Sequence, residues 1–249
     1  MTVVERAPDL RPGGQAVDAR GIAKEVIVRM GLDAAVRAAC TDTAGAYTVD
    51  ADGQVLGTFR ADDDGGDGFI ADIEILRGDL SQVLYDDTRD GVEYIFGDRI
   101  AELAQHTDGV DVLFAGGDRR RFDLVVGADG LHSKLRAMVF GPHGRFLRHL
   151  GHVLAFYSVP NEFGLDRWLL EYQDQESGRS ALLRPIQDAT RRWLCSTALR
   201  PTSTSTTATS QPKGACCVSG WRAWAGWPRT SSRTWTTRRT STSTRLPRW

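Results

Sequence analysis

The stretch FDLVVGADGLHSKLR, from Phe122 to Arg136, decides how the chain is read. Phe122 to Val126 have the apolar, β-branched character of a short buried strand, and turn residues follow at once. Gly127 and Gly130 permit backbone angles and close approaches that a Cβ would block. Asp129, between them, can accept backbone N–H bonds or orient a ligand hydroxyl. Ser133 stands where it would cap a helix carrying Lys134, Leu135 and Arg136. A strand that runs through a glycine turn into a helix is where α/β folds hold ligands, at the carboxyl ends of their strands. By itself the pattern equally fits an ordinary strand–turn–helix with a structural aspartate. The residues upstream separate the two.

Bulk composition narrows the class. The chain has 249 residues, a formal net charge of −1 and 41% hydrophobic residues, which suits one or two globular domains. A near-neutral balance argues against nucleic acid as the main partner, because no overall basic field draws phosphates in. No apolar run approaches the length of a membrane span and the N-terminus lacks a signal-peptide pattern, so no membrane partner is expected. Cys40 is the lone cysteine before residue 190, which fits a reducing cytoplasm.

Composition changes sharply near residue 190. After Asp188 there is no Asp or Glu, and Cys195, Cys216 and Cys217 lie there with all the tryptophans except Trp168. Stretches such as TSTSTT (Thr202 to Thr207) and RRTSTSTR have neither helical nor strand periodicity. A Ser/Thr-rich linker is one reading, but tryptophans and a Cys-Cys pair do not suit a solvated linker. Zinc is not expected, since ligand spacing is lacking and no His follows His152. A reading frame shifted near residue 191 accounts for more. With synonymous codons, Pro201–Thr207 and Arg239–Ser243 yield alternating Asp/Phe/Tyr text, and the stretch from Lys213 yields an amphipathic helix. Residues 191–249 are therefore expected to form an aberrant, poorly ordered tail that does not complete the core.

The chemistry-bearing stretches precede it. MTVVERAP opens with a strand, Thr2 to Val4, ending in Glu5 and Arg6. An acid at the end of the second strand of a dinucleotide fold receives ribose hydroxyls, although a lone strand-end Glu is commonly just solvated. Arg11 to Gly14 make a flexible basic loop. Arg11, Gln15 and Arg20 are either exposed loop residues or donors to a flavin or pyrophosphate. Ile22, Val26 and Met30 follow at helical spacing on one face. In EILRGDLSQVLYDDTRDG a strand, Ile73 to Leu76, precedes a helix beginning near Asp79 with Leu80, Val83 and Leu84 on its inner face. Arg77 sits at the junction, where a guanidinium can grip phosphate bidentately or pair with a nearby Asp. VEYIF, IAELAQH, VDVLFAGG and RRFDLVV read as successive strands turning at Gly97, Asp108–Gly109 and Gly116–Gly117, and they deliver the chain to Gly127-Ala128-Asp129-Gly130.

The strand-end Glu-Arg, RPGGQAVDARG, LRGDL and GADGLHSKLR, in that order, resemble the aromatic-ring hydroxylase class of FAD-dependent monooxygenases, in the branch of the tetracycline-modifying enzymes. The resemblance covers about residues 1–190. It implies an α/β fold: an incomplete, hydroxylase-type Rossmann-like FAD-binding domain (1–44 and 72–141) beside a β-sheet substrate domain (45–71 and 142–190). The hairpin in AYTVDADGQVLGTF motivates that division. RHLGHVLAFYSVP and RWLLEYQDQESGRSALLRPI resemble the rest of the substrate sheet, with alternation suited to half-burial. The resemblance further implies FAD as cofactor, with NADPH or NADH as electron donor. The cofactor-binding residues would be Glu5 at the adenosine ribose, Arg6 next to it in sequence, Arg11 and Gln15 in the loop, Arg77 at the diphosphate, and Asp129 in a segment shared by FAD and NADPH. Two parts of the family pattern lack counterparts: the first strand with its Gly-x-Gly-x-x-Gly turn, and a later Gly-Asp segment over the flavin.

Three functions stay open at this point. The chain is a monooxygenase acting on a small, aromatic or polycyclic molecule; it is an inactive fragment of one; or it is a non-catalytic module with a low-complexity tail. No side chain stands out as an acid or base, and the histidines, His132 included, lack a motif.

Overall fold

The computed structural model describes residues 1–50, 53–63, 68–148, 150, 153–160, 165–174, 179–185 and 192–199. In chain order its elements are β1 (Thr2–Glu5), β2 (Ala16–Asp18), α1 (Ile22–Arg29), α2 (Asp33–Ala38), β3 (Gly45–Val49), β4 (Val55–Arg60), β5 (Glu74–Leu76) and α3 (Arg77–Thr88). There follow β6 (Glu93–Phe96), β7 (Ile100–His106), β8 (Gly109–Phe114), β9 (Arg119–Phe122), α4 (Lys134–Phe140), a 3₁₀ turn at His143–Arg145, β10 (Val153–Pro160), β11 (Trp168–Asp174), β12 (Arg179–Pro185) and β13 (Arg192–Leu199). These fall into two compact units, Met1–Pro12 with Ser81–Leu150, and Gly13–Leu80 with Gly151–Trp249.

In the first unit β1 pairs in parallel with β6, Thr2 opposite Glu93 and Glu5 opposite Phe96. Parallel strands need a long crossover, and here the intervening chain supplies it. Tyr85, on α3, packs edge-on against Tyr94 of β6 with ring centroids 4.8 Å apart, and the Thr88 hydroxyl lies 2.5 Å from that of Tyr94. β7, β8 and β9 form the antiparallel meander read from the sequence, with Val112 and Phe114 buried.

The second unit holds a six-stranded sheet in the order β10-β13-β12-β11-β3-β4 and a short antiparallel ladder of β2 with β5. The β3–β4 hairpin closes at Gly53, whose φ of 74° suits glycine, while Asp50 accepts the Gln54 amide at 2.8 Å. The hairpin lies in the same sheet as β10, with β3 parallel to β11. Val36, Ala46, Ile73, Ile75 and Leu169 are almost wholly buried and form the apolar interior of this unit.

The structure differs from the sequence expectations at several points. The strand expected over Phe122–Val126 stops at Phe122, and Leu124 and Val126 are 75% and 77% exposed. An apolar run becomes a strand only when a neighbour accepts its backbone bonds, and no such ladder forms among the described residues. The helix expected from Asp79 starts at Arg77 because the amides of Arg77 and Gly78 find partners in the preceding loop. In α1 the apolar stripe is present, yet Ile22, Val26 and Met30 are 69%, 45% and 46% exposed, since periodicity defines a face without supplying its cover. The expected tail begins too early: Arg192–Leu199 is β13, paired with β10 on one side and β12 on the other. The rest of that tail, from residue 200, lies outside the described residues. By packing, 13–44 and 72–80 group with the six-stranded sheet in one compact unit.

Candidate functional site

In the second unit the sequence brings a glycine loop and an arginine together. β5 is buried on both faces, so Leu76 delivers the chain to Arg77 from a fixed strand. The Arg77 amide donates to the Gln15 carbonyl at 3.0 Å and the Gly78 amide to the Gly13 carbonyl at 2.8 Å. The first two N–H groups of α3 are therefore already satisfied, and the positive group this corner offers is the guanidinium. Gly13 and Gly14 adopt φ of 65° and 102°, which glycine tolerates and other residues resist. A Cβ at Gly14 would stand 2.8 Å from Arg77 Nε, so the guanidinium lies directly against bare backbone. A planar cation beside an open glycine backbone can take an oxyanion bidentately.

Beneath this corner lies a group that the sequence reading did not single out. Glu74, 4% exposed, accepts from the Arg184 guanidinium of β12, from Thr41 at 2.5 Å and from Thr43 at 2.7 Å. Burial works against its ionisation, but Arg184 and the two hydroxyls outweigh it and hold the carboxyl below the usual glutamate range. An acid between Ile73 and Ile75 was a legible signal of a buried partner. Which basic residue serves, over a hundred positions away, was not.

In the first unit Glu5 ends β1 and turns one carboxylate oxygen back to the Ala7 amide at 2.8 Å. The Gly97 amide donates to the Ala7 carbonyl at 2.8 Å, which staples this turn to the end of β6. Arg6 and Arg11 are exposed. Asp129 accepts the Ser133 hydroxyl and, at 3.1 Å, the Leu135 amide. Ser133 in turn accepts the Arg136 amide at 2.9 Å, the cap read from the sequence. Burial disfavours the charge on Asp129, yet these bonds outweigh it and lower its pKa. Much of its hydrogen-bonding capacity thus serves α4. Of the six candidates, Gln15 and Arg77 make direct contact in the second unit, while Glu5, Arg6, Arg11 and Asp129 belong to the first. Among the described residues no group of three or more His, Cys, Asp or Glu side chains gathers as a metal site. No helix there is long and apolar enough to cross a membrane.

No family model matches the sequence. Individual proteins do. A flavin-dependent monooxygenase of Legionella longbeachae is 35% identical over 68% of this chain and 43% of its own length. An uncharacterised protein of Mycobacterium tuberculosis, Rv1260, is 48% identical over 68% of this chain and 45% of its own. The crystal structure of tetracycline destructase Tet(55) superposes with a TM-score of 0.70 at 30% identity, covering 89% of this chain and 54% of that one. By descent the chain is related to flavin-dependent monooxygenases. Its α/β architecture is the FAD-hydroxylase fold, seen also in an FAD-bound HpxO of Klebsiella pneumoniae at a TM-score of 0.65 and 19% identity. The chain spans about half the length of the monooxygenases it matches.

Proposed function

We propose that this chain binds FAD and takes part in NAD(P)H-driven hydroxylation of a small organic molecule, aromatic or polycyclic in character. The observation that carries the reading is the Arg77 guanidinium resting against the Gly14 backbone, a cradle that a Cβ at Gly14 would fill. When bound, the flavin supplies the redox chemistry, accepting reducing equivalents from the nicotinamide and using them on dioxygen. The chain's own residues bind and orient. Arg77 neutralises the diphosphate, and the open backbone at Gly14 leaves room for its oxygens. Glu5, with one oxygen held by Ala7, has its other oxygen to offer a ribose hydroxyl, and the exposed Arg6 and Arg11 are further donors. Asp129 holds the start of α4, which sets the backbone course of Gly127 to Gly130 for cofactor contact.

The six-stranded sheet is the proposed substrate face. Leu154 and Phe156 are 60% and 47% exposed side by side on its edge strand β10, which suits an apolar ring system. In this proposal the cofactor portion is 1–44 and 72–141, and the substrate sheet is 45–71 and 142–190, lengthened to Leu199 by β13. A cytoplasmic setting is also proposed, from the partly buried free thiol of Cys40.

The test is direct. The purified 249-residue chain is titrated with FAD and the quenching of flavin fluorescence recorded, and NADPH and NADH consumption is then assayed with the flavin present. Saturable quenching that Arg77→Ala weakens supports the reading. A chain that leaves FAD fluorescence unchanged refutes it.

A further inference from the structure

The ladder that presents Arg77 is very short. β5 meets β2 through three residue pairs, Ala16 with Leu76, Val17 with Ile75 and Asp18 with Glu74. Apolar packing alone specifies the register of so short a pair poorly, and a slip of one residue would turn every side chain to the opposite face. Such a slip would carry Arg77 away from Gly14. Ile73 and Ile75 are fully buried, but isoleucine contacts tolerate sliding in a way that hydrogen bonds do not.

Glu74 is different in kind. Its carboxylate is gripped by Arg184 from β12 and by the hydroxyls of Thr41 and Thr43. Arg184 also donates to the Thr43 hydroxyl at 3.2 Å, and the Thr41 amide donates to the Glu74 carbonyl at 2.7 Å. Two other chain segments of the second unit, Thr41–Thr43 and β12, thus converge on one residue three positions before Arg77. A buried ion pair is costly to desolvate and is a poor device for stability alone, whereas its directional bonds can specify one arrangement.

We propose that Glu74 is a positioning residue: bound to Arg184, Thr41 and Thr43, it pins the register of β5 on β2 and so seats Arg77 against the Gly13–Gly14 loop. The consequence for cofactor affinity rests on the reading of Arg77 given above; the positioning itself does not.

The test uses the full chain and two readouts. The first is hydrogen exchange at the Arg77 and Gly78 amides, which report the bonds to Gln15 and Gly13. Glu74→Gln keeps the shape and the threonine bonds but loses the charge. It should speed exchange at these two amides roughly tenfold or more, the size expected for losing a charge-assisted bond. Amides of β3, an interior strand of the six-stranded sheet, should stay near their original rates. Thr43→Val, which leaves the ion pair in place, should show the same local pattern more weakly and serves if Glu74→Gln does not fold. Uniform acceleration across the unit, or no change at Arg77 and Gly78, overturns the proposal. The second readout is FAD fluorescence quenching, where Glu74→Gln should weaken binding in the direction of Arg77→Ala. Local acceleration in a chain that fails to quench FAD even as wild type upholds the positioning and overturns the cofactor reading.

Discussion

Replacing Gly14 by alanine separates the position of Arg77 from the stability of the fold. Gly14 has φ of 102°, so an alanine there carries backbone strain of about 1–3 kcal/mol, offset by about 0.4–1 kcal/mol from a stiffer unfolded chain. The new methyl would stand 2.8 Å from Arg77 Nε, and reaching ordinary contact at 3.4 Å requires the guanidinium to withdraw by about 0.6 Å. That movement costs little stability, because the end of an arginine is flexible. It is enough, however, to spoil a charge-assisted bond of about 2.7–2.9 Å, at a loss of about 1.5–3 kcal/mol of FAD binding. Gly13→Ala is the control. Gly13 is also strained for alanine, at φ 65°, but a Cβ there meets nothing within 4 Å. Urea denaturation should show both variants destabilised by similar amounts, on the order of 1 kcal/mol. FAD titration should show Gly14→Ala weakened roughly tenfold or more while Gly13→Ala stays near wild type. Equal FAD affinities in the two variants would refute the placement of Arg77 at the diphosphate.

Further expectations concern other parts of the molecule. Arg77→Ala should weaken FAD binding by roughly 1.5–3 kcal/mol, read as the shift in a fluorescence titration; an unchanged curve removes Arg77 from the site. Gly45→Ala should destabilise the second unit by about 1–3 kcal/mol, because its methyl would press on the Phe59 carbonyl and the Trp168 ring. Near-ultraviolet circular dichroism should register disturbance of the Tyr47–Trp168 stack, whose centroids lie 4.5 Å apart, and an unaltered spectrum would count against that geometry. Ser133→Ala should cost about 1 kcal/mol in urea unfolding through loss of the α4 cap. Asp129 has a folded pKa below its unfolded one, so its stabilising contribution is fully present above about pH 4 and is lost as pH falls through the lowered value. Asp129→Asn should flatten that part of the acid unfolding curve; the same acid slope in the variant would contradict the assignment.

The legible part of the fold was the part set by local chemistry. Alternation located the β3–β4 hairpin, the β7–β8–β9 meander and strands β10 to β12, and Ser133 marked the start of α4. What failed depended on distant partners. Leu124 and Val126 read as a strand because they are apolar, but a strand is completed by its neighbour. β13 was hidden because Arg192–Leu199 joins a sheet whose other members lie far off in sequence, while the composition beside it resembles a tail. At the site, the strand–arginine–helix junction identified Arg77, and Gln15 was named for its side chain although its carbonyl makes the contact. Glu74 announced an unusual environment through its isoleucine neighbours, but its tie to Arg184 spans 110 residues, beyond any local pattern.

The parallel pairing of β1 with β6 bears on how the chain is made. Thr2 and Glu93 are 91 residues apart, so β1 leaves the ribosome well before its β6 partner does. At translation speeds of about 5–20 residues per second, roughly five to twenty seconds pass before Glu93–Phe96 emerges. During that interval β2, β3, β4 and β5 are synthesised and begin to assemble the other unit, with β1 left outside it. Along the edge that β6 later covers, Val3 and Val4 therefore spend the wait without their Tyr94 and Ile95 partners, open to another strand or a chaperone. For this molecule the early strand is a late arrival in the fold, and the pace of elongation across residues 13–92 sets how long it stays exposed.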